Sequence, residues 1–207
     1  VFSVGILADL QGPMIRVSEV VNNAVLLEQG KMVRIFGSQK MSSAEQLYIG
    51  YGNFAKDVKP GERILIDDGK LILKAVKVIL SKAYIEAEVE YGGMLKPYKG
   101  VNFADTDLSL PSLTEKDLND LDFILWQNVN WIALSFVRDE KNLTELRKLV
   151  RARKHKAKII AKIEKPEAVT NLKKIIKSAD GVMIARGDLG VEIPMEEVPV
   201  VQKHIIN

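Results

Sequence analysis

Residues 158–188 read KIIAKIEKPEAVTNLKKIIKSADGVMIARGD, and the order of the pieces within them decides the fold. Two short apolar runs, KIIAKI (158–163) and GVMIAR (181–186), flank an amphipathic stretch, KPEAVTNLKKIIKSA (165–179). Apolar runs of this length bounded by polar residues fit strands buried on both faces. Pro166 stands where a first helical turn tolerates proline, and Val169, Leu172 and Ile176 give the helix one apolar face. Strand, helix, strand at this spacing is a parallel crossover unit.

The same rhythm extends toward the N-terminus. WIALSF (131–136) reads as another buried strand, followed by a helix over DEKNLTELRKLVRARK (139–154) with Leu143, Leu146 and Val150 on one face. GILADL (5–10) is a fourth strand. The strand starts 131, 158 and 181 lie 27 and 23 residues apart. A (β/α)₈ barrel spends about 31 residues per unit, and a doubly wound open sheet fits as well. Before WIALSF, TEKDLNDLDFILWQ (114–127) reads as a helix. Thr114 and Asp117 resemble a capping box, and Leu118, Leu121 and Leu125 form the apolar face.

Residues 17–105 have a different texture. KMVRIFG, RILIDD, KLILKAVKVIL and AYIEAEVEY are β-branched and partly alternating, separated by turn signals at Lys59-Pro60-Gly61-Glu62 and Asp67-Asp68-Gly69. They predict a small antiparallel β-barrel or sandwich inserted in a strand-to-helix loop. The expected organisation is residues 1–16 as the first part of an α/β domain, 17–105 as the inserted β domain, and 106–207 as the second part. Four strands cannot make eight units. The chain also enters an apolar run almost directly from Val1, without Met, so it reads as a piece of something longer.

Composition excludes several classes. The 207 residues are 47% hydrophobic and 28% charged, ordinary for a soluble globular chain. A net charge of +3 gives no global field for nucleic acid, and the basic run RKLVRARKHKAK (147–158) reads as a solvated helix end without interleaved aromatics. Cysteine is absent, which rules out disulfides and thiolate metal sites and suits a reducing cytoplasm. No apolar run approaches a membrane span. His155 and His204 show no triad or metal spacing and default to the surface.

Active sites of such sheets lie at the C-terminal strand ends. There the chain places Asp9-Leu10-Gln11-Gly12-Pro13 with Arg16, then Ser135-Phe136-Val137-Arg138, Lys162-Ile163-Glu164-Lys165 and Arg186-Gly187-Asp188. Glu164 and Asp188 occupy the same relative place on neighbouring strands. Two carboxylates with few other ligands suit magnesium; solvated or ion-paired acids are the plainer reading. Lys162 lies two residues before Glu164, so both point to the same side, suited to offsetting charge on a phosphate or enolate or to holding two strands together. Gly187 and Gly190 read as a tight turn exposing N–H groups ahead of a helix beginning near Pro194. Asp67-Asp68-Gly69 reads as a hairpin turn, or as a lid tip that excludes water.

AKIEKPEAV (161–169) and GVMIARGDLGVEIP (181–194) together resemble the pyruvate kinase family. ADLQGPMIR (8–16), IDDGKL (66–71), KGVNF (99–103), SLPSLTEKD (109–117) and ALSFVR (133–138) follow in the family's order. The resemblance covers nearly the whole chain. It implies a (β/α)₈ (TIM) barrel, of which this chain holds the third to sixth strands, with a mobile β lid inserted after the third. It further implies Lys162 at the transferring phosphoryl group, Glu164 and Asp188 as ligands of Mg2+ (or Mn2+), and the Ala185-Arg186-Gly187-Asp188 backbone at the carboxylate of phosphoenolpyruvate or pyruvate. Arg16 and Lys116 match contacts to the phosphates of ADP or ATP. Asp9 and the Leu10 carbonyl match ligands of a monovalent cation, K+. Asp67 and Asp68 sit in the lid segment. A cytoplasmic homotetramer acting in glycolysis, with neither nucleic acid nor membrane as partner, goes with that family.

Departures stand beside the match. DLQGPMIR replaces a DTKGPEIR-like segment: Leu10 keeps the carbonyl of the usual threonine, Gln11 replaces lysine, and Met14 replaces the Glu or Lys linked to potassium dependence. NFAD (102–105) replaces NLPG at the lid exit. Two other readings remain: a metal-dependent lyase or aldolase acting on pyruvate enolate, and a non-catalytic piece, inactive without the rest of a barrel.

Overall fold

The structure, a computed structural model, describes residues 4–207. In chain order the first strand is β1 (Leu7–Leu10). The inserted segment holds β2 (Val25–Leu27), β3 (Met32–Phe36), β4 (Gln46–Tyr48), α1 (Phe54–Asp57), β5 (Arg63–Ile66), β6 (Leu71–Ile79), β7 (Tyr84–Tyr91), β8 (Gly93–Leu95) and β9 (Val101–Asn102). Then follow α2 (Glu115–Ile124), β10 (Trp131–Leu134), α3 (Glu140–Ala152), β11 (Lys158–Ile163), α4 (Pro166–Thr170), α5 (Leu172–Ser178), β12 (Gly181–Ile184), α6 (Arg186–Glu192) and α7 (Val198–Ile206). Two compact units result, one from the residues up to Pro13 with Leu110–Asn207, the other from Met14–Ser109.

The first unit is α/β. Its four strands are all parallel, in the order β1-β10-β11-β12, so every strand lies beside its successor within the unit. That order has no reversal of direction along the sheet, where an open doubly wound sheet would have its switch point. The core lies between the sheet and α2, α3 and α5, with Ile132, Leu134, Ile159, Ala161, Leu143, Leu146 and Ile175 all buried. The edge strands are less enclosed than the sequence reading held: Leu7 and Val182 are exposed because no strand pairs with their outer sides.

The helices expected over 114–127, 139–154 and 165–179 begin where the sequence reading put them, and the last of them differs in phase. Thr114 and Asp117 form the capping box of α2, and Asp139 with Asn142 forms another for α3. The helix expected over 165–179 is broken at Asn171 (φ −92, ψ 11) into α4 and α5. Beyond the break the apolar face is shifted by one residue: Ile175 is buried, and Ile176, assigned to the core from an unbroken 3.6-residue period, is 45% exposed.

The second unit carries a six-stranded sheet, β4-β3-β7-β6-β5-β9, antiparallel except for β3 with β4, and a separate β2-β8 pair. Arg16 bridges Gly100 beside β9, and Val17 bridges Ile49 beside β4. One short segment thereby spans both edges of the sheet, toward the closed β form expected. Those bridges tie Arg16 into the unit, which begins at Met14, earlier than 17. At the other end Asp105, Thr106 and Ser109 are tied back by Arg63, Glu62 and Asp57, which carries the unit to Ser109, beyond 105. Among the described residues no helix is long and apolar enough to cross a membrane.

Candidate active site at the carboxyl ends of the parallel strands

Lys162, near the end of β11, is the centre of the rim. Its Nζ lies 3.0 Å from Glu164 Oε1, donates to Ser135 Oγ at 2.9 Å, and reaches Asp9 Oδ2 at 3.2 Å. Two-residue spacing on one strand explains the first contact. The others follow from sheet order, since Asp9 belongs to β1 and Ser135 directly follows β10, the two strands that precede β11 across the sheet. Ser135 Oγ in turn donates to the Leu10 carbonyl at 2.7 Å.

Glu164 is 2% exposed. Its Oε2 accepts the Phe136 N–H at 2.7 Å. Phe136 holds φ +52, a left-handed conformation costly for an aromatic residue, and that backbone turn delivers its amide to the carboxylate. Gly12 (φ +71) lies against the same bend. A Cβ there would come within 2.8 Å of the Phe136 ring, so this position needs glycine for space as well as for φ. The Gly12 N–H donates to Oδ1 of Asp117, the fully buried capping residue of α2.

Electrostatics follow from burial. Burial pushes the Glu164 carboxyl above its ordinary value; the Phe136 amide and Lys162 counter this only in part, and the charge of Asp188 adds to it. Burial works against the Lys162 ammonium, but Glu164, with Asp9 behind it, outweighs that and holds lysine above its ordinary value. The cation is therefore kept charged, and Glu164 and Asp188 are within electrostatic reach of each other.

The end of β12 differs from expectation. A helix, α6, begins at Arg186, directly after Ala185 (φ −81, ψ 78), ahead of the helical turn that starts beside Pro194 as expected and runs into α7. Gly187 and Gly190 lie inside this helix, neither at positive φ, so they form no glycine turn. At Gly190 a Cβ would come within 2.9 Å of Met195 Sδ, the far end of an exposed, flexible side chain that can move aside. Gly187 faces open space. The first intrahelical bond is Leu189 N to Ala185 O at 2.9 Å, which leaves the amides of Arg186, Gly187 and Asp188 without helical partners. Arg186 and Asp188 are exposed. The helix is anchored by a buried pair that sequence reasoning missed, Lys165 Nζ to Glu192 Oε1 at 2.8 Å.

Other expected residues fall elsewhere. Arg138, counted in the charged rim, donates to the Leu110 carbonyl. Lys116 is exposed on α2 and paired with Asp120. Arg16 belongs to the β unit, where Nη1 donates to the Tyr98 carbonyl at 2.8 Å. Asp67 and Asp68 form the β5–β6 hairpin loop, both with left-handed φ; Asp67 is held by Lys99 at 2.8 Å and Lys70 at 3.2 Å, while Asp68 is exposed. His204 is exposed as expected, whereas His155 has partners, accepting the Ala157 N–H and facing the Gln127 carbonyl. Ser135 stood in a quoted motif without a role, and Asp117, expected only as a capping residue, also accepts the Gly12 N–H; no local signal gives either contact.

Among the described residues no three His, Cys, Asp or Glu side chains gather so as to hold a metal by themselves. Magnesium asks for less, one or two carboxylates with water and substrate oxygens. A buried carboxylate whose charge is disfavoured, with a second carboxylate in electrostatic reach, would gain from a divalent cation, so the chemistry of Glu164 and Asp188 suits that group although Lys162 and the Phe136 N–H already engage both Glu164 oxygens. The Leu10 carbonyl and Asp9 are both engaged by protein donors, and a monovalent cation there rests on resemblance alone.

Residues 2–207 match the family described as "Pyruvate kinase, barrel domain". The chain is 46% identical over 204 residues to the pyruvate kinase of Corynebacterium glutamicum, covering 99% of this chain and 42% of that protein. It is 43% identical over 205 residues to pyruvate kinase 2 of a Synechocystis species (98% and 35%) and 42% identical over 207 residues to the pyruvate kinase of Geobacillus stearothermophilus (99% and 35%). The chain thus spans less than half the length of each of these relatives.

Proposed function

Because the chain belongs to the pyruvate kinase family, we propose that its rim is one side of a site that moves a phosphoryl group from phosphoenolpyruvate to ADP. In this reading the α/β unit is half of a (β/α)₈ barrel and the β unit is its lid. The observation that carries it is the Lys162 ammonium, kept charged by Glu164 and Asp9 at the strand ends.

Phosphoryl transfer depends mostly on positioning and on charge stabilisation. The bond between phosphorus and the enol oxygen breaks, a terminal oxygen of ADP takes the phosphoryl group, and the enolate left behind gains a proton at its methylene carbon to give pyruvate. Lys162 offsets the charge on the phosphoryl group and on the enolate oxygen. Ser135 and Asp9 fix where its ammonium stands. The unpartnered amides of Arg186, Gly187 and Asp188 receive the substrate carboxylate. Arg16 and Lys116 take nucleotide phosphates, for which Lys116 must leave Asp120. Glu164 and Asp188 would hold Mg2+ or Mn2+, which supplies Lewis-acid neutralisation of substrate oxygens when bound. K+ beside Asp9 and Leu10, a homotetrameric assembly and a cytoplasmic, glycolytic role belong to the same reading through the family.

A coupled assay for ATP formed from phosphoenolpyruvate and ADP tests it. The full-length protein carrying this sequence turns over and its Lys162→Met variant does not; carbon–carbon cleavage of a pyruvate adduct in place of ATP formation would overturn it. The 207-residue chain alone is expected to be inactive.

A further inference from the structure

At the amino ends of the same strands, opposite the rim, lies a groove of roughly 600 Å³ lined by Asn128, Asn130, Trp131, Lys154, His155, Lys156 and Lys158. A groove of this size suits a small molecule. Its lining is cationic: no acidic residue is among the lining residues, and among the described residues Lys154, Lys156 and Lys158 form no ion pair, although Asp180 lies within electrostatic reach of Lys158. His155 braces the loop: Nδ1 accepts the Ala157 N–H at 3.1 Å and Nε2 faces the Gln127 carbonyl at 3.2 Å. Lys158 lies over the Trp131 ring, its Nζ 5.1 Å from the centroid.

Cations near a helix C-terminus are often explained by the macrodipole, and α3 ends here. That accounts for Arg151 and Arg153, the latter already paired with Asp122. It does not account for Lys156 and Lys158, which lie beyond the helix. Nor does it account for the backbone of Lys154. The chain leaves α3 through a Schellman turn, with His155 N bonded to Val150 O and Lys154 N to Arg151 O. Lys154 occupies its left-handed position at φ +54, where glycine is strongly favoured. A strained lysine in place of glycine carries an ammonium into the groove, and strain of this kind points toward a ligand.

We propose that this groove binds a small anion bearing two or more phosphates, distinct from the substrates at the opposite strand ends. Lys154 and Lys156 contact the phosphates from the exposed wall, and Lys158 swings from the Trp131 face to join them. The inference is independent of the rim chemistry.

The test uses the 207-residue chain with Trp126→Phe, which leaves Trp131 as its only tryptophan; Trp126 is 88% exposed, so its replacement leaves the fold intact. Inorganic tripolyphosphate is titrated at low ionic strength while Trp131 emission is followed. The expected result is a saturable change, weakened at least ten-fold by Lys154→Gln with Lys156→Gln and untouched by Lys173→Gln with Lys177→Gln on α5. No saturable change, or equal weakening by both pairs, overturns the site. A single-stranded oligonucleotide that displaces tripolyphosphate with affinity growing with its length would overturn the small-anion reading in favour of nucleic acid.

Discussion

Lys162 Nζ and Asp9 Oδ2 lie 3.2 Å apart although 153 positions separate them in sequence. The contact crosses from the third strand of the parallel sheet to the first, with Ser135 between. It makes the rim a single hydrogen-bonded unit, in which the cation proposed to serve the substrate is also the counter-charge of a buried carboxylate.

Lys162→Met therefore acts on stability as well as on turnover. Glu164 is left buried and unpaired, and breaking a buried pair from one side costs about 3–5 kcal/mol. Urea unfolding of the single variant should show that loss, and Lys162→Met with Glu164→Gln should recover part of it because the orphaned charge is gone. If the double variant is as unstable as the sum of both singles, the pair is not coupled.

The proposed metal binding would divide between two unlike carboxylates. Glu164 is enclosed and Asp188 exposed. Calorimetric titration of Mg2+ into the full-length protein should show binding weakened by either Glu164→Ala or Asp188→Ala and lost with both. Binding that survives the double substitution refutes the assignment.

Much of this was legible from sequence because it is local. Thr114 with Asp117 announces a helix start, and Lys162 with Glu164 share a face by strand geometry alone. What stayed hidden is set by tertiary context. The amide that Phe136 offers to Glu164 depends on a left-handed backbone at an aromatic residue, which no propensity predicts. The break at Asn171 moves Ile175 inward and Ile176 outward without any proline or glycine to mark it. The start of α6 at Arg186 has no side-chain cap, and two glycines argue against a helix there.

The glycines of the rim separate cleanly by substitution. Gly12→Ala meets both a positive φ and a Phe136 ring 2.8 Å away, so it should destabilise the α/β unit by about 1–3 kcal/mol. Gly187→Ala meets open space inside a helix, where alanine is favoured by about 1 kcal/mol. Its methyl group would stand where the proposed site receives the substrate carboxylate, so KM for phosphoenolpyruvate should rise while the melting temperature holds or increases. An unchanged KM would remove the carboxylate from this helix end.

Acid should loosen the β unit through Asp57, Asp67 and Asp105. Burial opposes the charge on Asp57, but the Tyr51 hydroxyl and the Ser109 N–H and hydroxyl outweigh it; Lys99 and Lys70 hold Asp67 down, and Arg63 holds Asp105 down. All three carboxyls titrate below their unfolded value of about 4. A folded value below the unfolded one means that the unfolded chain binds more protons in between. The stabilisation is thus fully present above the unfolded value and is lost as pH falls through the folded values. Asp57→Asn should remove part of that acid dependence in urea midpoints measured from pH 6 down to pH 3. It should also lower stability at pH 6 by about 1–3 kcal/mol, because the amide NH2 replaces Oδ1, an acceptor of the Ser109 hydroxyl, and a neutral oxygen is a weaker acceptor for the Tyr51 hydroxyl and the Ser109 N–H, which both bond Oδ2. A variant whose midpoint falls with acid as steeply as the parent would show that Asp57 is not among the groups that set the acid limit.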